Sequence, residues 1–167
     1  MYSAFFFIFF NLLAPLISGV AALGTLYRCD QRDPATVKAA GGFKSWGADT
    51  PSVERLYKHV EGTDTATDPF ISTSTDIECG QHGKYRYTID SSNITQKIWD
   101  VNAELTKAGG EDGFAFEMEQ AVEFEIPWVA VISVEMKRGG FGWFEPMSMP
   151  AKQAPFAHDA HARLARI

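Results

Sequence analysis

Leu26-Tyr27-Arg28-Cys29-Asp30-Gln31-Arg32-Asp33-Pro34 holds the end of a strand, a cluster of charge and the start of a helix within nine residues. Gly24-Thr25-Leu26-Tyr27-Arg28 reads as a strand entering the fold. Asp33-Pro34 follows as an N-cap with proline at the first helical position, where a backbone N–H would have no helical partner in any case. The helix so begun contains Val37 and stops at Gly41-Gly42. Thr50-Pro51 repeats the start signal. Val53, Leu56, Tyr57 and Val60 then recur at helical spacing, which predicts a second helix with one buried stripe. After a polar loop over residues 62–69, Phe70-Ile71-Ser72-Thr73-Ser74 reads as a strand.

Further along, residues 78–83 read as a turn, and residues 84–89 alternate Tyr85, Tyr87 and Ile89 as a half-buried strand does. Ile98, Val101 and Leu105 fit a helix or an extended crossing segment, and residues 108–113 form a glycine-rich acidic loop, read as a mobile element. Residues 119–126 alternate, with Gln120, Val122, Phe124 and Ile126 on one face; residues 128–136 are rich in strand formers, and the tail from residue 139 is irregular. No repeat and no linker interrupts this order. The expectation is one α+β domain of short strands with helices ahead of them.

The chain has 167 residues, 46% of them hydrophobic and 13% aromatic, enough for one domain with a real core. Five of its 13 phenylalanines lie between Phe5 and Phe10. Residues 1–22 carry no charge and close on Val20-Ala21-Ala22, which fits a secretory signal peptide cleaved after Ala22, with a membrane anchor as the alternative. Asn11 and Pro15 interrupt that run, and it is short for a spanning helix. The expected organisation is therefore a signal peptide over residues 1–22, a secreted domain over residues 23–167, and no stable membrane association once the signal is removed. The formal charge of −6 falls entirely on that domain, and tight sequence-independent nucleic-acid binding would need clustered Lys and Arg. For two cysteines in a secreted chain, a Cys29–Cys79 disulfide is the natural reading, with two buried thiols as the alternative.

Three clusters carry chemistry. Glu117 and Glu119 stand two apart, so a strand would place both carboxylates on one side, where like charges repel unless cations or hydroxyls satisfy them. Alone, the pair favours a solvated edge, because Glu123 and Glu125 continue the pattern. Arg28 ends an apolar strand, and a guanidinium can hold phosphate oxygens through two parallel hydrogen bonds; a structural ion pair with Asp30 is the plain alternative. Ser72-Thr73-Ser74 supplies hydroxyls that can orient a glutamate, an arginine or a ribose, though it is also an ordinary strand end. His158 and His161 lack a third partner for a metal, and neither cysteine has metal-site spacing, so no metal is expected. Trp128, Trp143 and Phe144 read as packing.

Taken in order, these segments resemble the A subunits of heat-labile enterotoxin and cholera toxin, mono-ADP-ribosyltransferases of the arginine-serine-glutamate class. Leu26 to Pro34, ending in Gly41-Gly42, is similar to the opening that carries the family arginine. Leu56-Tyr57-Lys58-His59-Val60-Glu61-Gly62-Thr63 is similar to a helix end with the family histidine. Phe70 to Ser74 matches the aromatic-aliphatic-Ser-Thr-Ser strand, and Trp99-Asp100-Val101-Asn102 resembles the segment before the catalytic loop. Glu117-Met118-Glu119 then runs without a gap to Ile126-Pro127-Trp128, a register that selects these glutamates over Glu123 and Glu125. Phe124 and Glu125 stand where the family usually has paired glycines, and no counterpart of the linker helix, its nicked disulfide loop or a binding-ring partner is read.

The resemblance implies two small packed β-sheets with short flanking helices around an NAD cleft, NAD⁺ as co-substrate, and transfer of ADP-ribose to an arginine of a target protein by a toxin or effector. It implies catalytic roles for Glu117, Glu119 and Ser72, and cofactor-side roles for Arg28, Asp30, His59, Ser72, Thr73 and Ser74. Ser72 would bond Glu119, Glu119 would stabilise the sugar cation, Glu117 would activate the acceptor, and His59 would contact the adenosine ribose. The alternatives are an NAD⁺ glycohydrolase, with water as acceptor, and an inactive binding protein on the same scaffold. A nucleobase acceptor is disfavoured by the acidic charge and by Glu117.

Overall fold

The computed structural model describes residues 24–63, 65–79, 83–110, 118–138 and 143–149. Glu117, the segment read as a signal peptide, the part of the expected loop beyond Gly110, and His158 and His161 therefore lie outside the described residues.

Among the described residues, nine strands and three α-helices follow in the order β1 (Thr25–Asp30), α1 (Pro34–Ala39), β2 (Gly42–Lys44), α2 (Val53–Glu61), β3 (Phe70–Ser74), β4 (Tyr85–Asp90), β5 (Ile98–Asp100), α3 (Val101–Lys107), β6 (Glu119–Glu123), β7 (Glu125–Pro127), β8 (Val131–Arg138) and β9 (Trp143–Pro146). The fold is α+β, as expected, but its two sheets are unequal. One has seven antiparallel strands in the order β5-β6-β3-β1-β4-β8-β9, and the other is the pair β2-β7.

Local chemistry sets the element ends. Asp33 accepts from the Thr36 N–H at 2.9 Å and caps α1 ahead of Pro34. For α2 the cap is Ser52, which accepts from the Arg55 N–H, rather than the expected Thr50; Gly62, at φ +64°, closes the helix. Asp100 caps α3 in the same way, so the ambiguous segment around Ile98 is a short strand leading directly into a helix. β1 runs two residues past Arg28, because Cys29 and Asp30 still pair with Arg86 and Tyr85 of β4. On β4 the half-buried pattern gives way to burial of both faces. Arg86 is covered as well as Tyr85 and Tyr87, because its guanidinium is paired with Glu135 of β8 at 2.7 Å.

Alternation along the strands feeds two cores. Leu26, Ile71, Tyr87, Ile89, Val122 and Val134 face the small sheet, whose Phe43 and Ile126 complete that cluster; the Phe43 and Tyr87 rings meet edge to face at 4.9 Å. On the other face Phe70, Trp99 and Ala121 pack against Leu56 of α2 and Val101 and Leu105 of α3, with Val53, Tyr57 and Val60 at the margin. Trp128 packs at the edge of the first cluster, in line with a packing role.

The expected alternation over residues 119–126 breaks at Phe124. Its φ is +56°, a left-handed conformation uncommon outside glycine. Its N–H is turned to Pro69 O at 2.7 Å and its carbonyl to the Ser45 N–H at 2.8 Å. This single residue hands the chain from the large sheet (β6) to the small one (β7), at a position where the resembled family has glycine.

Candidate functional site

The site forms where the large sheet is nearly cut in two. β3 pairs with β6 along five residues and β1 with β4 along six, yet β1 and β3 share only the pair Tyr27–Ser74. Beyond that pair the two strands diverge. The Arg28 guanidinium takes the place of a ladder bond, donating from Nη1 to the Ser72 carbonyl at 2.6 Å. A cleft of about 640 Å³ opens at the split, with Arg28, Asp30 and Arg32 on one wall and His59, Asp68, Phe70 and Ser72 on the other. Lys44 and Trp46, 81% exposed, stand at its rim. A smaller chamber of about 280 Å³, reaching Glu119, Ser74 and Cys79, meets the cleft at Arg28, Cys29 and Ser72.

Register explains which side chains face this space. Ser74 pairs with Glu119 and Ser72 with Ala121, so Ser72, Ser74 and Glu119 share one face, while Thr73 and Gln120 share the other. Thr73 is accordingly buried and donates to Gln120 O at 2.6 Å. Its hydroxyl stitches β3 to β6, and the residue also lines the smaller chamber. Ser74 is buried too; its Oγ accepts the Asp76 N–H at 2.9 Å and holds the turn that follows β3. Ser72 is the exposed hydroxyl of the three.

Glu119, only 8% exposed, opens β6. Met118 before it is left-handed at φ +48°, so the strand has not begun by then. The Glu119 carboxylate lies 3.1 Å from His59 Nε2, and Ser72 Oγ lies 2.9 Å from the same nitrogen. The direct Ser72–Glu119 bond expected from the resemblance is thus replaced by a relay in which the imidazole stands between them. On its other side His59 Nδ1 meets Asp68 Oδ2 at 2.6 Å, and Asp68 Oδ1 accepts the Phe70 N–H at 2.9 Å. Burial works against the charged imidazole, but the hydrogen bonds and charges of Asp68 and Glu119 outweigh it and raise its pKa to about 9. His59 is therefore an imidazolium at neutral pH, held between two carboxylates.

Arg28 makes the ion pair that was its plain alternative. Its Nε and Nη2 reach Asp30 Oδ2 at 3.1 and 3.0 Å. Burial lowers the Arg28 pKa against the pull of Asp30. Arg32 grips the same carboxylate with Nε at 2.8 Å and Nη2 at 2.7 Å. Desolvation would raise the Asp30 pKa, but Arg32 and Arg28 bring it down to about 2. Asp30 thus holds both cations at the cleft wall. Both guanidinium groups lie over the Phe43 ring, 5.1 and 5.3 Å from its centroid. Tyr87 Oη fixes the turn below them by donating to Arg32 O at 2.5 Å. Cys29, between Arg28 and Asp30, is disulfide-bonded to Cys79 with a Cα–Cα distance of 5.7 Å.

Two contributors escape the sequence reading. Asp68, in an Asp-Pro step that marks only the end of a loop, becomes the partner of a histidine nine residues earlier. Arg32 stands in the opening segment, but nothing linear shows that its head shares Asp30 with Arg28.

A family model of the heat-labile enterotoxin alpha chain matches residues 3–87. The chain is 33% identical over 126 residues to the NAD(+)–arginine ADP-ribosyltransferase Chelt of Vibrio cholerae, an alignment covering 65% of this chain and 20% of that protein; the chain thus spans about a fifth of its curated relative. Among solved structures it is similar to the scabin toxin from Streptomyces scabies in complex with NADH (26% identity, 76% of this chain and 74% of that one, TM-score 0.59). It is equally similar to a guanine-specific ADP-ribosyltransferase (26% identity, 78% of this chain and 79% of that one, TM-score 0.59). The fold, the split sheet with its Ser-Thr-Ser strand, and the family match agree: the chain belongs to the heat-labile enterotoxin alpha-chain family of mono-ADP-ribosyltransferase toxins.

Proposed function

We propose that this chain is a secreted NAD⁺:arginine ADP-ribosyltransferase acting on a protein acceptor. The observation that carries the reading is the buried Glu119 carboxylate, fixed by an imidazolium in the smaller chamber that adjoins a cleft with two guanidinium groups on its wall. The cleft volume lies within the range of small-molecule sites. Arg28, steadied by Asp30, and Arg32 supply the positive charge that a pyrophosphate needs. The ribose–nicotinamide bond breaks with its electron pair leaving on neutral nicotinamide, which builds an oxocarbenium-like charge on the sugar. Glu119 accepts the ribose 2′-hydroxyl hydrogen bond and stabilises that charge. The acceptor guanidinium attacks the sugar carbon and gives up a proton, for which Glu117 is the assigned base, because a guanidinium stays protonated at neutral pH unaided.

Agreement between the family match and the arginine-modifying Vibrio relative supports the acceptor, as does Glu117 in place of the glutamine found in members with other acceptors. A guanine acceptor is the second reading, favoured by the guanine-specific structural relative. The experiment incubates purified protein with labelled NAD⁺ and, in parallel, agmatine, guanosine or buffer. Label on agmatine, with nicotinamide release at least 100-fold lower in Glu119→Gln, is expected. Label on guanosine moves the chain to the second reading, free ADP-ribose alone makes it a glycohydrolase, and equal release by wild type and Glu119→Gln removes Glu119 from the chemistry.

A further inference from the structure

We infer that Asp68 is a positioning residue of this site, which acts by making the Nε2–H of His59 a permanent donor to Glu119. The inference rests on the transferase reading above and deepens it. The argument is one of donors and acceptors. A carboxylate only accepts, so Asp68 Oδ2, 2.6 Å from His59 Nδ1, requires a proton on that nitrogen. Were the ring neutral, Nε2 would then carry a lone pair pointed at the Glu119 carboxylate 3.1 Å away, two acceptors face to face. A second proton resolves the conflict: Nε2–H donates to Glu119, and the Ser72 hydroxyl is free to turn its own proton elsewhere.

Asp68 is itself held. Its Oδ1 accepts the Phe70 N–H at 2.9 Å, its carbonyl accepts the Gly47 N–H at 2.8 Å, and its side chain is about 10% exposed. The Phe70 ring meets the imidazole at 5.5 Å, centroid to centroid, and closes that side. Among the described residues, the groups that face His59 are thus Asp68 ahead of β3, Ser72 and Phe70 on β3, and Glu119 on β6; the Arg28 charge reaches the cluster through Glu119. Asp68 lines the cleft wall, but both of its carboxylate oxygens are engaged, Oδ2 with His59 and Oδ1 with the Phe70 N–H, so its charge serves the ring. The chain from Phe70 N–H through Asp68 and His59 to Glu119 ties the rotamer of the reacting carboxylate to the backbone of β3.

Asp68→Asn is nearly isosteric and can still accept from Phe70 N–H, yet removes the charge. The test follows the imidazole of His59 by NMR from pH 5 to 10 in both proteins, with nicotinamide release from NAD⁺ measured across the same range. Expected in the variant are a His59 midpoint at least one pH unit lower, kcat at least 10-fold lower at pH 8, KM for NAD⁺ within about twofold, and an alkaline limb of kcat that moves with the midpoint. A wild-type midpoint near that of free histidine overturns the inference without any variant, and so covers a variant that does not fold. An unmoved midpoint overturns it too, as does a moved midpoint with unchanged kcat. If wild type turns over NAD⁺ and Glu119→Gln does not, an unaffected Asp68→Asn rejects Asp68 alone; an inactive wild type rejects the transferase reading and this inference with it.

Discussion

Replacing both cysteines by serine tests how the molecule holds its divided sheet. The bond joins residues 50 apart in the chain, from the end of β1 to the turn after β3. Closing a loop of that length removes conformational entropy from the unfolded chain worth about 4 kcal/mol at 25 °C on the chain-entropy account. Serine keeps the side-chain size and leaves the backbone at residue 79 in the same left-handed conformation, φ +38°, so local strain cancels between the two proteins. For a domain of this size the loss corresponds to a melting temperature lower by roughly 8–16 °C. Urea titration followed by circular dichroism would measure it. The expected result is a lower midpoint with a somewhat larger denaturant slope, since the uncrosslinked unfolded chain exposes more surface. Reduced wild type should coincide with the variant. A loss below about 1 kcal/mol, or wild-type stability indifferent to reductant, would refute the loop-entropy reasoning and show that other contacts already hold β1 to that turn.

Two further outcomes follow from the geometry. The His59 pKa is raised in the folded state, so its contribution to stability is complete below pH 6.5 and is lost as pH rises through about 9; acting alone it amounts to roughly 3 kcal/mol, and thermal melts from pH 6 to pH 10 should fall through that window, with a flat profile contradicting the ion-paired imidazole. Gly42→Ala should destabilise the protein by at least about 2 kcal/mol, because position 42 has φ +131° and an added Cβ would lie 2.1 Å from Ile126 O in the β2–β7 pair; a urea midpoint like that of wild type would mean that the small sheet can shift to admit a methyl group.

What could be read from the chain was whatever short-range physics governs. β3 was legible to the residue because its polar triplet follows an aromatic-aliphatic pair, and α1 because Asp33-Pro34 states its own start. Period two already placed Thr73 opposite Ser72 and Ser74, and its bond across to β6 follows from that parity. The crossing at Phe124 was not legible, since a left-handed bulky residue runs against backbone preference and continues the apolar alternation in sequence while breaking it in space. The relay through Asp68 and His59 to Glu119 draws on residues 9 and 60 positions apart, and no local rule couples them. The ion pair of Arg28 with Asp30 was legible as an alternative, because residues two apart on a strand face the same way.

The near-interruption of the large sheet has a consequence for recognition. Where β1 and β3 part after Tyr27–Ser74, peptide groups of Arg28 to Asp30 and of Phe70 to Ser72 line the opening rather than one another. They are edges placed in the interior of a sheet, two of whose groups are already met, the Ser72 carbonyl by Arg28 and the Phe70 N–H by Asp68. A substrate lying there can be gripped by main chain, whose chemistry is the same whatever side chains decorate it. Side-chain truncation along these strands will then understate how much they bind, and relatives can diverge widely in sequence at this seam while reading the same molecule.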